Sequence, residues 1–273
     1  MAPAGRFGYS CARESDTSRD PLEVDVGIER RFLKSRPKGG KIDYHYFKSA
    51  LNRYFWDHVG GDDRPVIYDI ATVRPELDKV TRAFPAIRAE LDALLQKRQN
   101  IPRYEEIDPG NGEIAGGPGR WSVFLLYLLG HKPEANRAQC PQTCRALEQV
   151  PHMIQAFFSI LEPRTSVPLH EGPYLGYLRY HLGLRIPQIK TPRLKIGDQE
   201  HIWREGEGAL LDDTWPHAVI NDSDEPRAIL IVDIERPMPP IPNLVNRFAL
   251  NVIARHTYGR SVVRRVESQT GTA

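Results

Sequence analysis

The chain has 273 residues, 40% of them hydrophobic and 26% charged, an ordinary globular balance with enough apolar material for a sizeable core. With 37 basic against 35 acidic residues the net charge is +2, which gives no electrostatic case for nucleic acid as a partner. No apolar run reaches the roughly 18 residues of a membrane span. The first residues lack an apolar signal core, so a cytoplasmic chain is expected.

Residues 1–40 are polar and aperiodic and read as a mobile N-terminal arm. Residues 42–58 space Tyr, Phe, Leu and Trp as a helix does. Residues 75–97 repeat the pattern more clearly, with Leu77, Val80, Phe84, Ile87, Leu91 and Leu94 three or four apart. Pro85 should kink or split that helix. Residues 101–120 contain DPGNGEIAGGPG, a loop by composition, and WSVFLLYLLG follows as a buried strand. A short helix is expected over residues 140–150. Its Cys140 and Cys144 lack two further zinc ligands nearby, and with Cys11 they are too few for a disulfide framework. Whether the two pair is left open.

From about residue 154 to 236 the chain becomes a series of short apolar alternations broken by turn residues, the pattern of an all-β barrel or jelly roll. We therefore expect a mainly β domain over residues 41–240, with a helical N-terminal layer. Residues 241–273 should form an amphipathic helix and a basic tail.

Strand alternation in YLGYLRYHLGL puts Leu178, Tyr180, Leu182 and Leu184 on one face and Arg179 with His181 on the other. A cation beside a histidine inside a barrel needs an anion, so that face is either solvated or binds one. In RAILIVDIE, Arg227, Ile229, Ile231 and Asp233 share a face. Arg227 could grip a carboxylate, or be a solvated strand-end arginine. His170 and His217 each lie at a turn into a strand, 47 residues apart. They are either two ligands converging on one metal at a barrel mouth or two unrelated rim histidines. Asp212 and Asp213 either orient His217 or build a turn.

The blocks SILEP, HEGP, LRYHLGL, W-x-E-G, LDDTWPH, R-x-I-L-I-V-D and RP follow one another from Ser159 to Pro237. In that order they resemble the catalytic core of the aspartyl/asparaginyl β-hydroxylase family. Bacterial lipid A and ornithine-lipid hydroxylases are similar in the same core. The resemblance implies a double-stranded β-helix, a cupin-like jelly roll. It also implies a dioxygenase that uses Fe(II), 2-oxoglutarate and O2. It assigns iron to His170 and His217 and the far carboxylate of 2-oxoglutarate to Arg227. Ser159, Arg179 and His181 match positions that help hold that cosubstrate.

Where related dioxygenases carry a third, acidic ligand, this chain has Gly172, as the β-hydroxylase branch does. Glu171 points away from its neighbours in an extended segment and is read as a non-ligand. The vacancy also has room for a halide, so halogenation is a lesser reading. Tyr177 stands where the animal peptide hydroxylases carry a substrate-contacting arginine. The leading expectation is hydroxylation at the β-carbon of an Asp/Asn-type amino acid or peptide residue. The alternatives are a lipid acyl-chain hydroxylase, whose basic C-terminal tail would touch the membrane surface peripherally, and a non-catalytic jelly-roll binding module.

Overall fold

The structure is a computed structural model that describes residues 44–97, 101–109 and 120–270. The expected polar arm, residues 1–40, lies outside them. Two antiparallel sheets form the core. In chain order the strands are β1 (Ile67–Tyr68), β2 (Trp121–Leu128), β3 (Met153–Leu161), β4 (Val167–His170), β5 (Tyr177–Arg185), β6 (Arg193–Ile196), β7 (Gln199–Ile202), β8 (Gly208–Leu211), β9 (His217–Ile220) and β10 (Arg227–Glu235). The larger sheet runs β1-β8-β5-β10-β3-β2 and the smaller β4-β9-β6-β7. This is a double-stranded β-helix, the jelly roll expected from the strand spacing.

The large sheet is buried on both faces, which explains why β10 reads as an almost unbroken apolar run. Its inner face packs Phe157, Leu161, Leu211, Ile229 and Ile231 against Leu194, Ile196 and Val219 of the small sheet. Its outer face carries Phe158, Leu182, Leu230 and Val232 and is covered by helices. Those helices are α1 (Tyr44–Trp56), α2 (Ile70–Val73), α3 (Asp78–Arg82), α4 (Phe84–Gln96), α5 (Tyr104–Ile107), α6 (Glu134–Arg137) and α7 (Pro141–Leu147) taken in chain order, of which α3, α4 and α7 make the cover. Pro85 splits the 75–97 segment as expected. It sits in the first turn of α4, where its missing N–H is harmless. Ile87, Leu91 and Leu94 of α4 then meet Cys144 and Leu147 of α7 over the sheet. Cys140 and Cys144 are both buried free thiols, so the pair is unbonded.

The C-terminal region is one continuous helical stretch. It begins as α8 (Pro240–Phe248), passes through an eleven-residue π-helical segment (Ala249–Gly259) and ends as α9 (Arg260–Thr270). The expected basic tail is therefore helical through Thr270. The sequence pattern also missed two short strands, β1 and β4, each too brief to show an alternation.

Candidate active site at the mouth of the β-helix

His170 is the last residue of β4 and His217 the first of β9, and the register places them directly opposite each other. Their ring centroids lie 4.0 Å apart. His170 is thus inside a strand end, where the sequence had suggested a turn. Each Nδ1 faces a backbone carbonyl two residues back: Pro168 O at 2.8 Å for His170 and Trp215 O at 2.9 Å for His217. A carbonyl only accepts, so each ring donates from Nδ1 and leaves its Nε2 lone pair available. Burial lowers the His170 pKa to about 4 and holds His217 well below the usual histidine range, with the neighbouring imidazole adding to the effect on His217. Both rings are therefore neutral near pH 7, the form that binds metals. Among the described residues no third His, Cys, Asp or Glu completes a ligand cluster. What the fold builds is a pair.

Among the described residues His217 is oriented by backbone, the Trp215 carbonyl and the Asp213 main chain, and not by the carboxylate of Asp212 or Asp213. The aspartates instead pin the turn that delivers His217. Asp212 accepts from Arg64 Nε at 2.8 Å, meets Arg236 at 2.7 Å and accepts from the Thr214 backbone N–H at 3.1 Å. Burial alone would raise this carboxyl, but Arg236 and Arg64 hold it below the usual carboxylate range. Asp213 Oδ2 accepts from Tyr177 Oη at 3.0 Å and from Arg179 at 2.8 Å. Burial nevertheless raises its pKa to about 6. Its Oδ1 is buried with no hydrogen-bond partner and points at Gly172. A side-chain carbon at residue 172 would lie 2.6 Å from Asp213 Cγ. A side chain there would press on the Asp213 carboxyl, which Tyr177 and Arg179 hold in place.

The charge of Arg179 is matched by two carboxylates. Beyond Asp213 the guanidinium donates to Asp233 through Nε and a terminal nitrogen, both at 2.8 Å. The pairing follows from register, since Asp233 of β10 lies opposite Arg179 of β5. Burial opposes its charge, but the two aspartates outweigh it and raise the arginine pKa well above the usual value.

Arg227 is the opposite case. It is 2% exposed, and its guanidinium stacks 4.1 Å over the ring of Trp203. Its one hydrogen bond is a long one, 3.4 Å to Ser159 Oγ, and its Nε is buried without a partner. Among the described residues no carboxylate pairs with it, and burial alone lowers its pKa to about 9. Ser159 also accepts from Trp121 Nε1 at 3.0 Å, so its own proton is free to donate. Trp203 Nε1 reaches His181 Nδ1 at 3.3 Å. Indole N–H only donates, so His181 carries its proton on Nε2, which is buried and unpartnered. Burial, then Arg227 and Arg179, keep that imidazole neutral.

Three donors, from Arg227, Ser159 and His181, thus face the inside of the β-helix with spare capacity. The arrangement fits an anion, and the histidine pair fits a divalent metal. Trp203 opens the W-x-E-G block quoted from the sequence but was given no role there. It lies one residue beyond β7, where strand alternation says nothing about its direction.

A cavity of about 300 Å³ opens from His170, Gly172, Arg179 and Asp213. Away from them its walls are mainly apolar, with Leu51 of α1, Val123 and Leu125 of β2, Phe157 of β3, and Leu250 and Ile253 of the π-helical segment, and Lys48, Asp108 and Gln155 add polar groups.

The two facing histidines and Arg227 thus lie inside a double-stranded β-helix, His217 and Arg227 buried and His170 half-buried. The chain belongs to the aspartyl/asparaginyl β-hydroxylase family, whose model matches residues 81–237. An ornithine lipid ester-linked acyl 2-hydroxylase of Rhizobium tropici is 33% identical over 75% of this chain and 76% of its own. The aspartyl/asparaginyl β-hydroxylase of Homo sapiens is 36% identical over 70% of this chain, but the match spans only 25% of that protein. A solved RmlC-like cupin with a double-stranded β-helix fold, from Methanocaldococcus jannaschii, covers 35% of this chain and 77% of its own, at 16% identity and a TM-score of 0.26. That last match is too distant to inform the chemistry. The chain is a hydroxylase by family, and among the described residues no helix is long and apolar enough to cross a membrane.

Proposed function

We propose that this hydroxylase uses Fe(II) and 2-oxoglutarate, with O2, to hydroxylate an unactivated carbon of an acyl chain. The observation that carries the cosubstrate reading is Arg227, a buried guanidinium with no carboxylate partner among the described residues. A buried charge without a partner is costly, and a bound carboxylate relieves that cost. His170 and His217 would hold the iron through their Nε2 atoms. Arg227, Ser159 and His181 would hold a carboxylate of the cosubstrate. Arg179, its charge matched by Asp213 and Asp233, takes a positioning role and holds Asp213 beside Gly172. When bound, the iron and cosubstrate supply the oxidising power for breaking a C–H bond. The chain's own residues hold two neutral imidazoles in a fixed orientation, exclude water and offer donors to the anion.

The substrate reading rests on the cavity. It lies in the size range of small-ligand pockets, and beyond the metal pair its walls are mainly apolar. Tyr177 stands where a substrate-binding arginine was expected in the peptide enzymes, and its hydroxyl is tied to Asp213. Arg179, beside the metal pair, is matched by two carboxylates. These features favour an acyl chain over the β-carbon of an acidic residue, the leading expectation from sequence. The R. tropici relative, which acts on an acyl chain by name, agrees with that choice.

The test is anaerobic titration with Fe(II) and 2-oxoglutarate, following the weak visible charge-transfer band that a chelated keto acid produces. Wild type should develop the band. His170→Ala, His217→Ala and Arg227→Ala should lose or weaken it. A wild type that binds no iron would leave the binding-module reading in its place. Succinate release stimulated by an Asp-containing peptide but not by acyl lipids would return the substrate to the peptide class.

A further inference from the structure

α8 and the π-helical segment expose a row of large apolar side chains. Ile241 is 71% exposed, Leu244 69%, Phe248 58% and Val252 47%. Their spacing of three, four and four residues puts them on one side of the helix. The burial pattern agrees, because Pro242, Asn246, Ala249 and Leu250 between them are buried. Isolated exposed apolar residues are ordinary, but four in a row on one helix face are not.

Two further observations say what covers this row. The first is charge. Continuing in four-residue steps from Val252, the same helical stretch exposes His256, Arg260 and Arg264. Among the described residues neither arginine makes a salt bridge with a carboxylate. The second is continuity with the cavity. The segment that carries Val252 outward also turns Leu250, Ile253 and Ala254 into the cavity wall. One helix therefore separates the apolar cavity from the apolar row.

We infer that this helix is an interfacial anchor, lying in the plane of an anionic bilayer with Leu244, Phe248 and Val252 dipped into its surface. An apolar side flanked by free arginines is the composition of such helices. The docking brings the cavity wall against the lipid layer that would hold an acyl substrate. The inference concerns where the protein sits, so its test involves no iron. It and the proposed reaction therefore fail separately.

The test is sedimentation of the full chain with vesicles of phosphatidylcholine containing phosphatidylglycerol, against vesicles of phosphatidylcholine alone. Wild type should pellet with the anionic vesicles, and less with added salt. The double variant Leu244→Glu/Phe248→Glu should bind more weakly by about tenfold or more. Arg260→Ser and Arg264→Ser should each lower binding to anionic vesicles by about fivefold and leave binding to neutral ones unchanged. All four side chains are exposed, so melting by circular dichroism should coincide with wild type. Should the double variant fail to fold, the arginine variants carry the test alone. Absence of wild type from the anionic pellet would overturn the inference, as would pelleting of folded Leu244→Glu/Phe248→Glu at the wild-type level. So would a wild-type dimer, seen by light scattering, that Phe248→Glu dissolves without any vesicle binding, which would assign the row to a second copy of the chain.

Discussion

The β-helix treats its buried arginines in two ways. Arg64, Arg179 and Arg236 lie within hydrogen-bonding distance of Asp212, Asp213 or Asp233, while Arg227 meets only a tryptophan face and a distant serine hydroxyl. Arg64, Arg227 and Arg236 are all but fully buried, and Arg179 is 17% exposed at the cavity. A cation that the chain neutralises itself is part of the scaffold. One without a carboxylate among the described residues would gain from a bound anion, the role proposed for Arg227. The difference can be broken from either side.

The largest effect should come from the paired side. Asp212→Asn would leave Arg64 and Arg236 buried around a neutral amide. Removing one partner of such a cluster costs about 3–5 kcal/mol, read as a lower midpoint in urea unfolding. The pH dependence has a definite sign. The folded Asp212 pKa is depressed, so its contribution is present above the unfolded carboxylate value and is lost as pH falls through the lower folded one. Wild type should therefore lose stability on acidification more steeply than Asp212→Asn does.

On the Arg227 side the opposite holds. Arg227→Met removes a charge that no carboxylate pairs among the described residues. Stability without cosubstrate should be unchanged or higher, since an apolar side chain of similar length replaces an uncompensated cation. Affinity for 2-oxoglutarate should fall by at least about thirty-fold, or about 2 kcal/mol. Wild type should gain thermal stability on adding 2-oxoglutarate and the variant should not. A variant that loses stability without ligand would show that Arg227 belongs with the scaffold arginines.

Between these extremes lies Gly172, where the Asp213 carboxyl occupies the space of a side chain. Gly172→Ala should cost about 1–3 kcal/mol, as overpacking does. It should also push Asp213 away from Tyr177 and Arg179. Denaturation measures the first effect. A change in the Tyr177 fluorescence or ring chemical shifts would report the second.

How far the sequence could be read follows from the same contrast. The two-faced strands were readable because alternation is local, which set Leu178, Tyr180 and Leu182 apart from Arg179 and His181; that the first set meets the helices came only from the fold. The α3–α4 break was readable from Pro85. The partner of Arg179 was not. Asp233 had been seen as an inward residue of β10, but its place opposite Arg179 depends on a register spanning 54 residues. The turn at Asp212–Asp213 was one of the two roles the sequence offered, but its partners Arg64, Arg179 and Arg236 were not legible, because they come from far away in the chain. The π-helical segment left no trace in the apolar periodicity, although it walls the cavity. The resemblance brought His170, His217 and Arg227 to attention; only the fold brings the two rings to 4.0 Å and leaves the guanidinium without a carboxylate among the described residues.

The smallest expected effect bears on how the surroundings of Arg227 are arranged. Trp203 does two things there, stacking on Arg227 and donating to His181 Nδ1. The second fixes the His181 proton on Nε2, where it can meet an anion. Trp203→Phe keeps an aromatic face for the guanidinium but loses the indole N–H, at about 1 kcal/mol for one hydrogen bond. Nothing then holds Nδ1 as an acceptor, so the imidazole should populate both neutral tautomers. Nitrogen-15 shifts of the ring would show this directly: one tautomer in wild type, a mixture in the variant. Affinity for 2-oxoglutarate should fall by a few-fold, far less than with Arg227→Met, because the charge remains and only one donor is misdirected. An unchanged tautomer with unchanged affinity would mean that Trp203 serves only as a stacking platform.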